Sequence, residues 1–491
     1  MGDWPANSAA PIERVSIRRN LAHMASSQLF TWMIATVVSI VVPRFVGPGD
    51  LGDLRLAASL WAMAATVAAL GTSQYVQLSV ARSAADGLRL VGPVLVLRTV
   101  GFVACAGLLA VYLTTMTPSR QFVVIMVILG VATLVNIWAE ALGSFFIGLE
   151  RVSVPALTGA GSRLVNLGGV VTVLLLGSGV VGVVGVGLAT SALALVFLWW
   201  NLSRISRSRA PVDVASLRRL AQDSATFMAA GVALVVYQQI DLVVISWVAD
   251  REDLGWYGAA DTLFGSLLFP ATVVVAVTFP TLGRLHLSDP AALQRLVSRT
   301  FCLLALVGVP VGLGTMLVAR DFAPMLYGED FRETGVVLAV LGPVLIVTFG
   351  TILFGSVALA TGRGRLWVGV LLGAAALTVP LDMLLVPWAE SRWDNGALGG
   401  AIAYVVTEGL QLAICVAVVA PYLRSTATVR RLARTAASGG VMFLAVWPLR
   451  TAPMVLQIIV GVTVYGVAVL VFRALGEDER ALLRQLRRRL S

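Results

Sequence analysis

The chain has 491 residues, of which 58% are hydrophobic and only 13% are charged. Soluble proteins carry about 25% charged residues, so a water-soluble multidomain protein is excluded; apolar runs of about 18 residues or more, each long enough to cross a bilayer, recur from end to end. A net charge of +10 would suit a nucleic-acid partner, but the placement of that charge along the chain assigns it to membrane topology.

The first stretch, 1–20, holds Arg14, Arg18 and Arg19. It leads into a run too long for the h-region of a secretory signal and has no small-residue cleavage site, so it reads as a cytoplasmic N-terminus before a retained span. Fourteen helical spans are predicted: 21–45, 53–80, 92–116, 121–147, 154–177, 179–201, 223–248, 256–281, 298–318, 335–360, 365–388, 396–420, 433–449 and 453–473. The polar connection from Asn201 to Arg219, which contains Pro211, falls after the sixth. The expected organisation is an N-terminal six-helix lobe (21–201), a cytoplasmic linker (202–222) and a second six-helix lobe (223–420). Two additional spans (421–475) and a cationic tail (476–491) follow, the tail lying on the inner leaflet surface. Outer connections are short, the longest running from Arg320 to Thr334.

With the N-terminus inside, the even-numbered connections and both termini are cytoplasmic. They collect 28 of the 36 basic residues, leaving 8 outside, and every basic residue is Arg. Such a bias is the positive-inside rule, which fixes orientation. It explains the basic excess without nucleic acid.

One short pattern occurs twice. "GDLGDLRLAASLW" begins at Gly49 and "EDLGWYGAADTLF" at Glu252, with 203 residues from Asp50 to Asp253. Each copy follows an apolar span and opens the next, and each is followed by an Ala pair, Ala57-Ala58 and Ala259-Ala260. Six spans separate the copies, so the two halves have the same orientation. Parallel repeats of this kind occur in transporters whose substrate path runs between the halves.

Longer segments carry a family resemblance. "VVPRFVGPGDLGDLRLAASL" from Val41 resembles the first outer loop of bacterial polysaccharide flippases of the multidrug/oligosaccharidyl-lipid/polysaccharide (MOP) exporter superfamily. "QQIDLVVISWVADREDLGWYGAADTL" from Gln238 resembles the seventh helix of that family and the start of the eighth. "FPTLGRL" from Phe279, "LYGEDFRETGVVLAVL" from Leu326 and "GALGGAIAYVVTEGL" from Gly396 resemble later family segments in the same order. The resemblance spans residues 20 to 475. It implies an all-α polytopic membrane protein with two six-helix lobes around a central cavity and two C-terminal helices. It implies a flippase of the bacterial cytoplasmic membrane, moving a polyprenyl-diphosphate-linked oligosaccharide outward by alternating access for surface polysaccharide assembly. The partners implied are that substrate, membrane lipids and a polysaccharide polymerase or ligase. Asp382 departs from the family, where Asn is expected.

Five acids fall within spans: Glu140, Asp241, Asp261, Asp382 and Glu408. An ionised side chain in hydrocarbon costs at least about 2.5–3.5 kcal/mol, so such residues face an interior or water. Helical spacing places Tyr237, Gln238 and Asp241 on one face, and Tyr404, Glu408 and Gln411 on another. Asp241 and Asp261 lie at similar depth in the outer half. These residues are read either as an ion-coupling or cavity set (Asp241, Asp261, Gln238, Glu408) or as polar contacts that hold the bundle together; Glu140, with only Asn136 near at helical spacing, is read as structural.

A diphosphate cargo needs cations. Arg98 and Arg163 lie several residues inside the inner starts of their helices and serve either as bidentate phosphate ligands or as inner-leaflet anchors whose stems snorkel. Gln74 and Gln77 share a face of span two and can bond sugar hydroxyls. His23 and His286 have no partner at metal-ligand spacing, and Cys105, Cys302 and Cys415 lie apart in apolar runs, so neither metal nor disulfide is expected. The Gly-rich "GVVGVGLATSA" from Gly182 suits close helix packing. With no catalytic set, no phosphate loop, no cofactor motif and no sizeable outer loop, a glycosyltransferase or ligase is disfavoured. A cation-coupled drug exporter and a peptidoglycan lipid-precursor flippase of the same superfamily remain the alternatives.

Overall fold

The computed structural model describes residues 33–34, 36–115, 118–205 and 213–476. Arg14, Arg18, Arg19, His23, Arg207, Arg209 and the cationic tail lie outside the described residues. The described chain is helical without a strand. Its helices are α1 (Thr36–Val46), α2 (Pro48–Ala69), α3 (Thr72–Arg82), α4 (Ala84–Arg89), α5 (Val91–Thr115), α6 (Arg120–Gly148), α7 (Ser153–Leu175), α8 (Gly179–Ile205) and α9 (Val214–Val248). They continue with α10 (Arg251–Leu267), α11 (Phe269–Ser288), α12 (Pro290–Tyr327), α13 (Arg332–Ala360), α14 (Gly364–Trp393), α15 (Gly396–Leu423), α16 (Thr426–Val446) and α17 (Met454–Val471). Thirteen helical stretches among the described residues are long and apolar enough to span a bilayer. They match the second to fourteenth predicted spans, and α1 is the described part of the first.

Three boundaries differ from the sequence reading, each for a local reason. The seventh span starts at Val214, inside the stretch 202–222 read as linker. Asp213 caps it, accepting from Ser216 N at 3.0 Å while the Ser216 hydroxyl reaches back to Asp213, which satisfies otherwise orphaned first-turn donors. The ninth span starts at Pro290, where Asp289 caps Ala292 N and Pro occupies the first helical position. It runs 38 residues to Tyr327, about 57 Å at about 1.5 Å per residue. The Arg320–Thr334 connection is therefore helical except at Gly328: α12 runs to Tyr327, a 3-10 turn covers Glu329–Phe331 and α13 begins at Arg332.

The second helix of each lobe is broken. α2 and α3 are separated at Leu70 and Gly71, both left-handed (φ 51° and 66°). α10 and α11 are separated at Leu268, with Pro270 in the first turn of α11. A break in each lobe after each Asp-Leu-Gly repeats the parallel design.

At the end of the bundle where α2 and α10 begin, here called the outer end from the arginine distribution, the lobes share one apolar core. It includes Leu51, Leu60 and Trp61 of the first lobe with Leu254, Tyr257, Leu341 and Ala401 of the second. Toward the other end the cores separate. One holds Val76, Phe145, Phe146 and Leu198 with Leu220 of α9, and the other Leu293, Phe349, Phe354 and Cys415.

The two Asp-Leu-Gly copies meet at the shared end. A Cβ added at Gly52 would lie 2.3 Å from the Arg251 carbonyl oxygen, and one at Gly255 would lie 1.9 Å from the Pro48 carbonyl oxygen. Position 48 corresponds to 251 across the 203-residue offset, and 52 to 255. The contact is reciprocal, as a pseudo-two-fold axis between parallel repeats requires. Only glycine permits the approach, which explains why the motif occurs twice.

Candidate functional site

The acids of the second lobe converge. Glu408 of α15 is 1% exposed and accepts hydrogen bonds from the Tyr237 hydroxyl of α9, the Thr351 hydroxyl of α13 (3.3 Å) and the Tyr404 hydroxyl one turn back (3.4 Å). The two polar faces expected on the seventh and twelfth spans are thereby joined. Asp241 is buried one turn beyond Tyr237, beside the Tyr257 hydroxyl of α10, and interacts electrostatically with Asp261 and Glu408. Asp382 of α14 is fully buried, is an electrostatic neighbour of Asp241, and has no protein partner for either carboxylate oxygen. One Asp241 oxygen is likewise unpartnered. Buried carboxylates without donors are costly, and these oxygens have no protein donor in this conformation. No group of three or more His, Cys, Asp and Glu side chains arranged to hold a metal ion occurs among the described residues. Gln238 is exposed on the helix that carries Asp241, and Gln411 is buried with its carbonyl oxygen unpartnered.

A cation from the first lobe reaches this network. Arg55 of α2 is the cationic neighbour of Asp261 and lies near the Tyr327 hydroxyl, while its Nε has no partner. Gly258 makes room for it, because a Cβ there would stand 2.7 Å from Arg55 Cγ. Positions 55 and 258 correspond across the repeat, so Arg55 lies against the pseudo-symmetry axis. By position Arg55 is one of the eight arginines outside the cytoplasmic set. Its signal is its position inside a predicted span, with no acid at helical spacing on its own helix.

Arg55 and Arg163 line one cavity of about 580 Å³ between α1, α2, α7, α8 and α10. Ser39, Ser162, Asn166, Thr190, Ser191 and Thr262 add hydroxyl and amide groups to its wall. The cavity therefore offers two guanidinium groups and a set of neutral donors, a chemistry matched to an anionic headgroup bearing hydroxyls.

Arg98 lies elsewhere. It is fully buried, donating from Nε to the Thr72 hydroxyl (2.8 Å), from Nη1 to the Ile137 carbonyl (2.7 Å) and from Nη2 to the Ser73 hydroxyl (2.6 Å), with Glu140 at 3.9 Å. Thr72 and Ser73 open α3, so Arg98 fastens the break in the second span to α6. Its donors are committed to the protein in this conformation, and it does not line the Arg55–Arg163 cavity; its place is in the framework. Glu140 joins the same knot, accepting from Ser73 at 2.6 Å. Gln74 is exposed and Gln77 half-buried on α3, and neither lines the arginine cavity. Cys105, Cys302 and Cys415 form no disulfide in this structure.

The family model for polysaccharide biosynthesis proteins matches residues 17–286. The chain belongs to that family. The family match and the thirteen apolar helices among the described residues agree on a multi-pass membrane protein. The lipid II flippase MurJ in an inward closed conformation is similar in structure, with a TM-score of 0.74 at 13% identity, covering 91% of this chain and 98% of that one. An inward-facing multidrug resistance MATE family transporter of the MOP superfamily gives a TM-score of 0.63 at 14% identity, covering 81% and 96%. A MATE protein in complex with MaL6 gives 0.55 at 13% identity, covering 83% and 97%. No curated protein matches in sequence. The family match ends at residue 286, so the acids of α14 and α15 fall outside it while Arg55, Arg98, Arg163, Asp241 and Asp261 fall within.

Proposed function

We propose that this flippase-family protein moves a polyprenyl-diphosphate-linked oligosaccharide from the inner to the outer leaflet of a bacterial cytoplasmic membrane, with both termini in the cytoplasm. The observation that carries the reading is the Arg55–Arg163 cavity. Two guanidinium groups favour a diphosphate, and the surrounding hydroxyl and amide groups favour the sugar linked to it. A cationic drug would meet repulsion there, which argues against the drug-exporter alternative. A lipid precursor of peptidoglycan carries the same diphosphate chemistry, and the polysaccharide biosynthesis family favours the polysaccharide precursor over it. Movement follows from the uneven core: in this conformation the lobes close on each other at the outer end and part toward the inner one, and opening outward requires the outer contact to separate. Asp241, Asp261, Asp382 and Glu408 take up the coupling cation, a proton fitting the carboxylates and tyrosine hydroxyls. Arg98 serves this function from the framework, by holding the helix break. No step of covalent chemistry is required, and the product is consumed outside by a polymerase or ligase.

Depleting the protein tests the reading. The polyprenyl-diphosphate-linked oligosaccharide should accumulate in the inner leaflet while surface polysaccharide disappears. Normal surface polysaccharide accompanied by loss of drug efflux or of peptidoglycan synthesis would overturn it.

A further inference from the structure

A second cavity, of about 670 Å³, opens at the outer end between the lobes and shares no lining residue with the arginine cavity. Its wall includes Tyr112 of α5 and Trp247 of α9, with Asp53, Ser246, Asp250 and Arg251 around them. The volume falls within the roughly 300–1,000 Å³ of small-molecule pockets. Two contacts cross it from lobe to lobe. Trp247 Nε1 donates to the Tyr112 hydroxyl at 2.7 Å, and Arg251 Nη1 donates to Asp53 at 3.3 Å. Asp53 is buried while Trp247 is 48% exposed, so one bond is sheltered and the other faces the opening.

We propose that this outer cavity is a carbohydrate subsite, which holds a sugar ring of the cargo as it leaves the lobes; the proposal rests on the reading that the cargo is glycosylated. A pyranose presents an apolar C–H face and a rim of hydroxyls. Trp247 and Tyr112 offer rigid amphipathic rings for the face. Asp53 and Asp250 accept from hydroxyls and Arg251 donates to them, and hydrogen bonds to charged groups are the stronger kind. The competing occupants fit less well. Two acids with a single, already paired arginine disfavour a diphosphate, and the charged wall disfavours an isoprenoid tail. An interfacial aromatic belt accounts for a tryptophan at this depth, but not for the cross-lobe acid–arginine pair in the same cavity.

The site is also tied to movement. Separation of the outer ends breaks both cross-lobe bonds and leaves the same groups facing outward. Sugar hydroxyls then replace the lost partners, so the carbohydrate favours the outward-open state by binding it more tightly. The second lobe thereby holds back its latch until cargo is present to take its place.

Isothermal titration calorimetry tests this with the full-length protein in lipid nanodiscs. The probe is the water-soluble oligosaccharide released by mild acid from the host's own lipid-linked intermediate, free of diphosphate and lipid. Wild-type protein should bind it saturably. Affinity should fall at least tenfold in Trp247→Ala and in Asp250→Asn, and recover partly in Trp247→Phe. Absence of wild-type binding would overturn the proposal, as would equal affinity in Trp247→Ala and Asp250→Asn. The Phe and Asn variants keep the test decisive where the Ala variant misfolds. Failure here together with normal translocation of the lipid-linked oligosaccharide removes the outer subsite alone. Failure of translocation, with the inner-leaflet intermediate unaffected by depletion, removes the flippase reading instead.

Discussion

Asp50-Leu51-Gly52 and Asp253-Leu254-Gly255 meet across the lobe interface with matching backbone geometry, yet the interiors behind them carry opposite charge. The first lobe places Arg55 and Arg163 on a cavity and fastens Arg98 into its frame. The second gathers Asp241, Asp261, Asp382 and Glu408. A repeat that needs only its glycines for closure leaves the remaining positions free to diverge. Divergence by sign leaves basic groups on one lobe and acidic groups on the other, which on the proposed function serve an anionic cargo and a cation respectively. Arg55 and Asp261 join the two where the lobes touch.

Removing Arg98 should produce the largest effect. Arg98→Met removes the charged donor that joins the Thr72 and Ser73 hydroxyls to the Ile137 carbonyl, and hydrogen bonds to charged groups are worth about 1.5–3 kcal/mol. The expected loss is about 2–4 kcal/mol, read as a lower unfolding midpoint in nanodiscs, with substrate affinity per folded molecule unchanged. A normal midpoint with weakened substrate binding would move Arg98 from the framework into the cationic site and sharpen the contrast between the lobes.

Arg163→Lys probes the cationic side alone. Lysine keeps the charge but loses the planar fork, and hydrogen bonds to charged groups are worth about 1.5–3 kcal/mol. Affinity for the diphosphate-linked substrate should fall on the order of tenfold to a hundredfold, with unchanged stability. Full affinity would leave Arg163 as an inner-leaflet anchor.

Gly255→Ala attacks what the lobes have in common. Its Cβ would sit 1.9 Å from the Pro48 carbonyl, and overpacking costs about 1–3 kcal/mol. The outer ends should be driven apart. Distance measurements between spin labels on α2 and α10 should record a population shifted tenfold or more toward the separated state, and Gly52→Ala should act likewise. Unchanged distances would show that the closure does not depend on the repeated glycine.

The smallest effect concerns the entry to the second lobe. Hydrogen bonds from Ser216 hold the exposed Asp213 carboxyl below the ordinary aspartate range. A lowered folded-state value means that the cap stabilises α9 above the unfolded value and is lost as pH falls through the folded one. Amide exchange over residues 214–217, compared at matched intrinsic rates, should therefore lose protection on acidification below that range and in Asp213→Ala. Equal protection in Asp213→Ala would remove the capping role.

Much of this arrangement was legible in the sequence because hydrocarbon imposes its own period. Apolar length gave thirteen spans that the described helices match, and helical spacing paired Tyr404 with Glu408. The repeat at Asp50 and Asp253 was visible as text, but its reciprocal contact was not, since a glycine's reason lies in the backbone it faces. The Tyr237–Glu408 bond joins residues 171 apart, which no periodicity along one helix predicts. Depth in a span does not reveal direction, so the sequence leaves Arg98 open between phosphate ligand and inner-leaflet anchor; in this structure its donors go to Thr72, Ser73 and Ile137 at the helix break. Arg55 was hidden by the converse: an arginine near an outer helix end reads as an anchor until Gly258 and Asp261 of the other lobe are set beside it.

Division of charge between the lobes is tested most directly by one binding measurement. Purified protein in nanodiscs is titrated with a fluorescent polyprenyl-diphosphate-linked oligosaccharide, and its transport is then followed in sealed proteoliposomes with and without a proton gradient. Arg55→Lys and Arg163→Lys should weaken binding about tenfold or more, while the gradient still accelerates whatever transport remains. Asp241→Asn and Asp382→Asn should bind as the wild type does and lose the response to the gradient. Acid variants that weaken substrate binding as much as the arginine variants, while keeping the gradient response, would contradict the account.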